Sequence, residues 1–316
     1  GSVLMGTDLE VGIRHRVLGV KVEEAGSAIL PTAKIGPILR TSGDEDLLLE
    51  TGDEHLLVRG ARSSFKLPLE DPTLYPEVPD FAGDKYHVIL ARDLKKLIRR
   101  TVFATDLESA RYALGGVLVE LKPDGIAMIG TDGRRLAKMA APAQSENDPP
   151  APSGTPVIPV KALKLIERNL VDDDLLVHLT IQSGAAALVR TEGAVIYTRL
   201  VEGRFPRYQD VFPTSVETKV PMAVGPLRLA VEQASIVTSD ESRGVDFQFG
   251  PGALKLSSQA ADVGSAQVDM PLDYEGKAVE ITFDPRYLLD ALKTLDDDAE
   301  ITAELIDARN AAVFKT

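Results

Sequence analysis

Short runs of β-branched and other apolar residues recur along most of the chain, separated by polar or glycine-containing turns. Runs of this length with such boundaries are typical of strands in antiparallel sheets. We therefore predict strands at Arg14–Val22, Leu47–Thr51, Leu56–Arg59, Gly116–Leu121, Ile126–Gly130, Leu175–Ile181, Ala187–Thr191, Ala194–Leu200, Val245–Phe249, Ala253–Ser257 and Ile301–Leu305.

A few segments instead place apolar residues at helical spacing. In the clearest of them Leu94, Leu97 and Ile98 fall on one stripe. The predicted helices are Thr32–Arg40, Ala91–Thr105, Val160–Leu170, Gly225–Val237 and Pro285–Leu295. Pro37 weakens the first prediction, because a proline inside a helix removes a backbone hydrogen bond.

The predicted helices carry basic residues on the side away from their apolar stripes. These residues are Lys34, Lys95, Lys96, Arg99, Arg100, Lys161, Lys164, Arg168, Arg228, Arg286 and Lys293. For one helix alone a solvated face is the more common explanation of such residues. The same feature in several helices of an acidic chain indicates a shared basic surface.

Several signals repeat at intervals of about 125 residues, as in an array or ring of similar domains. The tripeptide Gly-Thr-Asp occurs at 6–8 and 130–132, and acidic triplets occur at 44–46, 172–174 and 296–298. Polar, proline-containing junctions fall near Pro79–Asp84 and Pro213–Lys219. The repeat predicts that function lies in the shape built by the copies, not in one catalytic pocket.

Composition excludes several classes of site. The chain has no cysteine, and its four histidines are scattered, so we expect neither disulfides nor a metal centre. No apolar run is long enough to span a membrane, and we expect a cytoplasmic protein. A phosphate-binding GxxxxGK[ST] loop, a GxGxxG segment and a GxSxG elbow are all missing, so we predict neither a cofactor nor catalysis.

The charge distribution matters more than its sum. A net charge of −13 alone argues against a nucleic-acid partner, but a small basic face can lie on an acidic body. The acidic triplets leave open a metal-dependent hydrolase, since clustered carboxylates bind magnesium. Consecutive turn residues point in different directions, so we interpret the triplets as solvated turns that end helices.

Four stretches resemble the bacterial DNA sliding clamps, the beta subunits of DNA polymerase III. Gly130–Ala137 is similar to their TDGHRLA-type segment, with Arg134 where histidine is usual. Arg111–Leu118, Leu200–Pro213 and Ser239–Val245 are similar to three further family segments, and Gly6–Glu10 to a signature of the first domain. The matches follow one another in order along nearly the whole chain.

The resemblance implies an α+β fold of three repeated DNA-clamp domains, at 1–83, 84–217 and 218–316. Helices would line the inner face and antiparallel sheets the outside of a crescent. Two crescents would join head to tail into a ring around duplex DNA, without sequence preference. The family pattern begins before Gly1 and extends beyond Thr316, so we expect the first domain to lack its start and the third its tail.

The resemblance also implies a non-catalytic processivity function. A clamp loader would open the ring, and the DNA polymerase III catalytic subunit and other proteins with clamp-binding motifs would dock peptides in a cleft. The implied cleft residues are Arg111, Leu114, Thr131, Gly133, Arg134, Arg135, Leu136, Pro206, Val211, Asp284 and Tyr287. The basic helix residues named above would face DNA, and Phe65 and Leu67 would meet Ile236 and Val237 of a second chain. A clamp-derived peptide-binding module that does not encircle DNA remains the alternative.

Overall fold

The computed structural model describes residues 1–108, 113–149, 154–182, 184–213 and 215–316. The chain divides into two compact units, Gly1–Asp80 and Phe81–Thr316, and each contains its own apolar core. The predicted α+β class with antiparallel sheets is confirmed in both units. The domain limits at 83/84 and 217/218 stay predictions.

The first unit is a hairpin followed by a helix and a three-stranded sheet. Its elements are β1 (Ser2–Thr7), β2 (Val11–Val17), α1 (Thr32–Thr41), β3 (Leu48–Thr51), β4 (His55–Arg59) and β5 (Ser64–Pro68). β1 pairs with β2, and β4 lies between β3 and β5. Ile35 and Ile38 of α1 share a core with Leu56 and Val58 of β4. The predicted first helix therefore forms despite Pro37.

In its described part the second unit contains sixteen strands and four α-helices, and its first half runs from β6 to β14. These elements are β6 (Tyr86–Leu90), α2 (Ala91–Val102), β7 (Gly116–Lys122), β8 (Gly125–Thr131), β9 (Leu136–Pro142), β10 (Gln144–Glu146), β11 (Val157–Pro159), α3 (Val160–Arg168), β12 (Leu176–Gln182), β13 (Ala186–Arg190) and β14 (Ala194–Arg199). Strands β11, β7, β8 and β9 form one sheet in that order. Neighbouring pairs also link β14, β13, β12, β6 and β10 in order.

The second half of this unit repeats the plan of strand followed directly by helix. Its elements are β15 (Thr218–Ala223), α4 (Val224–Ser235), β16 (Val245–Gly250), β17 (Ala253–Ala260), β18 (Gly264–Pro271), β19 (Val279–Phe283), α5 (Pro285–Leu292), β20 (Glu300–Leu305) and β21 (Val313–Lys315). One sheet has the order β18-β17-β16-β19 and another the order β15-β20-β21. Leu227 and Val231 of α4, Phe247 of β16 and Leu292 of α5 lie in one buried cluster.

The five predicted helices all form, but those in the second unit end two or three residues before their predicted ends. Phe103 follows α2, and the amide of Ala104 turns back to the carbonyl of Thr101 at 3.2 Å. Beyond α2, Phe103 is half-buried and Ala104 is buried, although the helical hydrogen bonds have stopped.

One predicted strand, Arg14–Val22, was too long. β2 ends at Val17, which pairs with Ser2 at the start of β1. Beyond that pair, Leu18, Val20 and Val22 are exposed. A strand needs a hydrogen-bonded neighbour as well as β-branched residues. The residue pattern indicated the second requirement but could not show which residues have a paired neighbour.

Candidate functional site

The segment Gly130–Ala137 forms a tight turn between β8 and β9. The Thr131 hydroxyl donates to the carbonyl of Arg135 at 2.6 Å and accepts from the amide of Gly133 at 3.1 Å. The Asp132 carboxylate accepts from the amides of Arg134 and Arg135, both at 2.9 Å. Gly133 has φ +86°, in the left-handed region that glycine enters without strain. Side-chain acceptors thus hold the turn, and both arginines leave it side by side.

The first Gly-Thr-Asp copy makes the same turn between β1 and β2. Thr7 donates its hydroxyl to the carbonyl of Val11 at 3.0 Å, and Asp8 accepts from the amides of Glu10 and Val11. Leu9, with φ +75°, takes the place of Gly133. The repeated tripeptide therefore has one geometric meaning, a turn stabilised by its own threonine and aspartate.

Arg135 connects this turn to α5 and to the end of α2. Its guanidinium binds Asp132 at 3.0 Å and Asp290 of α5 at 2.7 Å, and donates to the carbonyl of Phe103 at 2.6 Å. It also lies over the rings of Phe103 and Tyr287, 5.4 and 4.8 Å from their centroids. With a side chain only 18% exposed, Arg135 is held mainly by the protein itself.

Arg134 is exposed beside the same helix. A hydrogen bond with the Tyr287 hydroxyl raises the pKa of Arg134, and the charges of Asp132 and Asp284 add to the effect. Asp284 caps the start of α5 by accepting from the Arg286 amide at 3.1 Å. Its hydrogen bond from the Arg286 side chain lowers the pKa of Asp284. The structure thus brings the predicted residues Thr131, Gly133, Arg134, Arg135, Asp284 and Tyr287 into one connected polar set.

One of the predicted apolar residues packs against a small buried cluster, and the others differ in exposure. Leu136 packs, half-buried, against a cluster that includes Leu118, Phe205 and Tyr208. Leu114 is buried, Pro206 is half-buried, and Val211 is exposed at the end of a 3-10 turn, Tyr208–Val211. Arg111 lies outside the described residues.

Tyr208 fixes that 3-10 turn through two charged partners. Its hydroxyl donates to Glu120 at 2.6 Å, and the Lys138 ammonium donates to the hydroxyl at 3.2 Å. Burial, with the Glu120 carboxylate as the next cause, raises the pKa of Tyr208 to about 12. Sequence reasoning missed these groups and Asp290, because each depends on a partner distant along the chain.

A cavity of about 330 Å³ adjoins Asp284 and was also not predicted. Its lining comprises Thr238, Ser239, Asp240, Arg243, Asp284, Pro285 and Arg286. The segment around Ser239 resembled the family, but no residue in it was singled out for a role. A polar shelf of alternating charge therefore extends the connected set along the start of α5.

Several of the predicted DNA-facing cations make ion pairs with acidic residues. Lys95 of α2 pairs with Asp173, and Arg99 binds Glu167 of α3 at 2.5 Å. Arg228 of α4 binds Asp297 at 2.8 Å, and Arg286 of α5 binds Asp284 at 2.6 Å. The acidic triplets at 172–174 and 296–298 are thus exposed turns, as predicted, that also hold helix cations.

The remaining predicted cations are either half-buried or lie on the exposed surface. Arg100 is half-buried, with its guanidinium 3.9 Å from the Met139 sulfur. Those on the exposed surface are Lys34 of α1, Lys96 of α2, Lys161, Lys164 and Arg168 of α3, and Lys293 at the end of α5.

The predicted subunit-contact residues differ in how much surface they offer. In the first unit, Phe65 is exposed on β5, while Leu67 lies in the core with the α1 residues. In the second unit, Ile236 directly follows α4 and is 75% exposed, and Val237 is half-buried. Phe65 and Ile236 are therefore the larger apolar surfaces among the four.

Two structural features bear on other classes of function. None of its helices, over the described ranges, is both long and apolar enough to cross a membrane. Among the same residues, no three His, Asp or Glu side chains gather in a way that could hold a metal ion.

Comparison with known families gives matches over most of the second unit. The central-domain model of the DNA polymerase III beta subunit matches residues 89–207. The C-terminal-domain model of the same subunit matches residues 209–316.

Whole proteins and solved structures agree with these matches. The beta sliding clamp of Chlamydia muridarum is 30% identical over 298 residues, covering 94% of this chain and 80% of that protein. The beta sliding clamp of Proteus mirabilis is 31% identical over 307 residues, covering 96% and 82%. The crystal structure of DNA polymerase III subunit beta from Pseudomonas aeruginosa matches with a TM-score of 0.88 at 28% identity, covering 99% of this chain and 85% of that one. The chain therefore belongs to the DNA polymerase III beta subunit family, the beta sliding clamps.

Proposed function

We propose that this chain forms a closed ring of two copies that encircles duplex DNA and tethers a replicative polymerase to it. Membership of the family makes the chain a non-catalytic sliding clamp. Enclosure would convert a weak, sequence-independent contact into lasting attachment while leaving the ring free to slide. The site of action would be the cytoplasm, where the clamp loader and the polymerase work.

One observation carries this proposal: the second unit contains two equivalent helix pairs with basic outward residues. α2 packs against α3, and α4 packs against α5. Each pair buries its apolar stripe and leaves lysine or arginine on the other side. Contacts from such residues to phosphates give affinity without reading base sequence.

The connected polar set and the apolar cluster beside it would receive partner peptides. The apolar residues Leu114, Leu136, Pro206 and Val211 would contact aliphatic or aromatic side chains of a peptide. Arg134 is the more available of the two arginines, because Arg135 is occupied by Asp132, Asp290 and the carbonyl of Phe103. The proposed partners are the polymerase III catalytic subunit, other clamp-binding proteins and the clamp loader.

Retention on DNA of different topology tests encirclement. A clamp loaded on nicked circular DNA should remain bound through gel filtration and should be lost after the circle is cut. Equal loss from both forms would instead favour a peptide-binding module that does not enclose DNA. The mass in solution gives a second measure, since a two-chain ring has twice the 34.0 kDa of one chain.

Two site variants and one matched valine control test the peptide site. Val211→Ala and Leu136→Ala should each weaken binding of a clamp-motif peptide, by roughly fivefold to a hundredfold for a contact worth about 1–3 kcal/mol. Val263→Ala is the control, because Val263 and Val211 are both 54% exposed. Unchanged affinity in the two site variants, measured by fluorescence anisotropy, would refute the assignment of the cleft.

A further inference from the structure

Two acidic turns reach the starts of two basic helices in the same way. At the start of α2, the amide of Ala91 donates to the carbonyl of Leu175 at 2.9 Å, and the amide of Arg92 donates to that of Asp173 at 3.0 Å. These bonds satisfy helix amides that have no partner within the helix.

The start of α4 repeats this arrangement. Val224 donates to the carbonyl of Ala299, and Gly225 donates to that of Asp297, both at 2.9 Å. The two acidic turns therefore have equivalent places in the two halves of the second unit, one after α3 and the other after α5.

Each turn also holds the cation one helical turn further along. Lys95 lies four residues after Ala91 and pairs with Asp173; Arg228 lies four residues after Val224 and binds Asp297 at 2.8 Å. The Lys95 and Arg228 side chains are 19% and 32% exposed, whereas their carboxylates are 62% and 60% exposed. In both pairs the carboxylate is thus the more accessible member.

The charges around the first pair reinforce it. The hydrogen bond from Lys95 lowers the pKa of Asp173, and the charges of Arg99 and Arg92 add to that effect. Arg92 also binds the neighbouring Asp174 at 2.5 Å. Three cations of one helix therefore stabilise the ionised form of the Asp173 carboxylate.

Neighbouring cations on the same helices have no such partner. In the part of the chain that the structure describes, Lys96 of α2 and Lys164 and Arg168 of α3 are exposed and form no ion pair. The basic faces are thus of two kinds: cations already neutralised by an acidic turn, and cations open to any anion nearby.

We propose that Asp173 and Asp297 act as internal substitutes for DNA phosphate, which withhold Lys95 and Arg228 and so limit how tightly the helices hold the duplex. The inference rests on the proposed function, since it concerns the same DNA-facing surface. A phosphate must displace a carboxylate that is already in contact before it gains either cation. Contact then depends mainly on the unpaired cations, and it stays weak enough for the ring to move along DNA.

Replacing the carboxylates by their neutral amides tests the proposal. Asp173→Asn and Asp297→Asn keep the backbone carbonyls that receive the helix amides, and each frees one cation per chain. Each added phosphate contact should steepen the dependence of log affinity on log salt by about 0.9. Between about 50 and 200 mM salt, each variant chain in contact with a short linear duplex should add a further fall in affinity of about 3.5-fold, or of about 12-fold for the double variant.

Two controls separate pairing from general charge and from damage to the fold. Asp298→Asn changes the net charge equally in the same turn, but the side chain of Asp298 makes no ion pair among the described residues. Adding Lys95→Gln to Asp173→Asn removes the freed cation, so the salt slope should return to that of the unmodified chain.

The outcomes are distinct. Steeper slopes for Asp173→Asn and Asp297→Asn, restored by Lys95→Gln and absent in Asp298→Asn, support the inference. Slopes equal to that of the unmodified chain, or an equal rise in Asp298→Asn, overturn it. The unmodified chain is tested separately on nicked circular DNA: loss from the circle there would overturn the proposed encirclement, whatever the slopes show.

Discussion

Gly130→Ala should destabilise the second unit, whereas Gly6→Ala should be tolerated, although both glycines open the same tripeptide. A Cβ at Gly130 would lie 2.2 Å from the carbonyl oxygen of Thr101 and 3.1 Å from its carbon. A Cβ at Gly6 would meet only the Ile13 side chain, at 3.7 Å, an ordinary contact. The two copies share a turn but differ in what packs behind it.

The loss of stability in Gly130→Ala depends on which atom the added Cβ would clash with. Thr101 is fully buried in the last turn of α2, and its carbonyl belongs to the backbone, so it cannot rotate away as a side chain would. Either β8 or α2 must shift, which places the cost near the upper end of the range for overpacking, about 3 kcal/mol. For a unit of this size that corresponds to a fall in Tm of roughly 6–12 °C. Gly6→Ala should change stability by less than about 1 kcal/mol, since a smaller unfolded-state entropy offsets any strain.

Differential scanning calorimetry can follow the two variants, and hydrogen exchange can assign the change to β8 and α2. The variants should differ by several degrees in the transition of the second unit, with faster exchange near Thr101 in Gly130→Ala alone. A Tm for Gly130→Ala within about 1 °C of the unmodified chain, or an equal fall for Gly6→Ala, would refute the close-approach argument.

Two further predictions concern charged groups of the second unit. Arg135→Ala should lower the free energy of unfolding by about 3 kcal/mol, because it removes hydrogen bonds to two carboxylates and a carbonyl. Arg135→Lys should recover part of this loss, whereas Arg134→Ala, at an exposed position, should cost little. Thermal melts of the three variants measure the differences. Burial, followed by the charge of Arg190, lowers the pKa of His178. The unfolded state therefore binds more protons at this histidine than the folded state does. The free energy of unfolding should be highest above about pH 6.5 and fall as acid is added, with a smaller fall in His178→Gln. Thermal melts that do not change between about pH 7 and pH 5 would contradict this prediction.

The elements of this fold were largely predictable because the local patterns agreed with the tertiary structure. The stripe of Leu94, Leu97 and Ile98 is the buried face of α2, and β-branched runs bounded by turns became strands. Where the pattern erred, the missing information was non-local. Residues after Val17 were predicted as strand, yet Val17 forms the last pair with β1 and the residues beyond it are exposed. Phe103 was predicted to lie in the helix, but its ring instead contacts the guanidinium of Arg135.

The candidate site was predictable only in part, for a related reason. Gly-Thr-Asp could be identified because its turn is built from neighbours in sequence: Thr131 and Asp132 bond to residues no more than four positions away. Asp290 is 155 residues from Arg135, and no local pattern indicates that the two meet. The family resemblance supplied Tyr287 and Asp284, but not which arginine the protein itself occupies. Only the hydrogen bonds and ion pairs in the structure distinguish Arg135 from Arg134.

The acidic triplets show why a repeated motif need not be a repeated active site. α2 follows β6 directly, and α4 follows β15 directly. In both places the residue before the helix is the last residue of a strand, and neither helix start has a side-chain cap. The first amides of each helix must then be satisfied from elsewhere, and in both halves a turn after the paired helix supplies the carbonyls. Acidic residues suit that place, since negative charge is favourable at a helix N-terminus and lies within reach of the cation four residues on. The recurrence of aspartate is therefore explained by helix placement and cation pairing, without any need for metal-assisted hydrolysis.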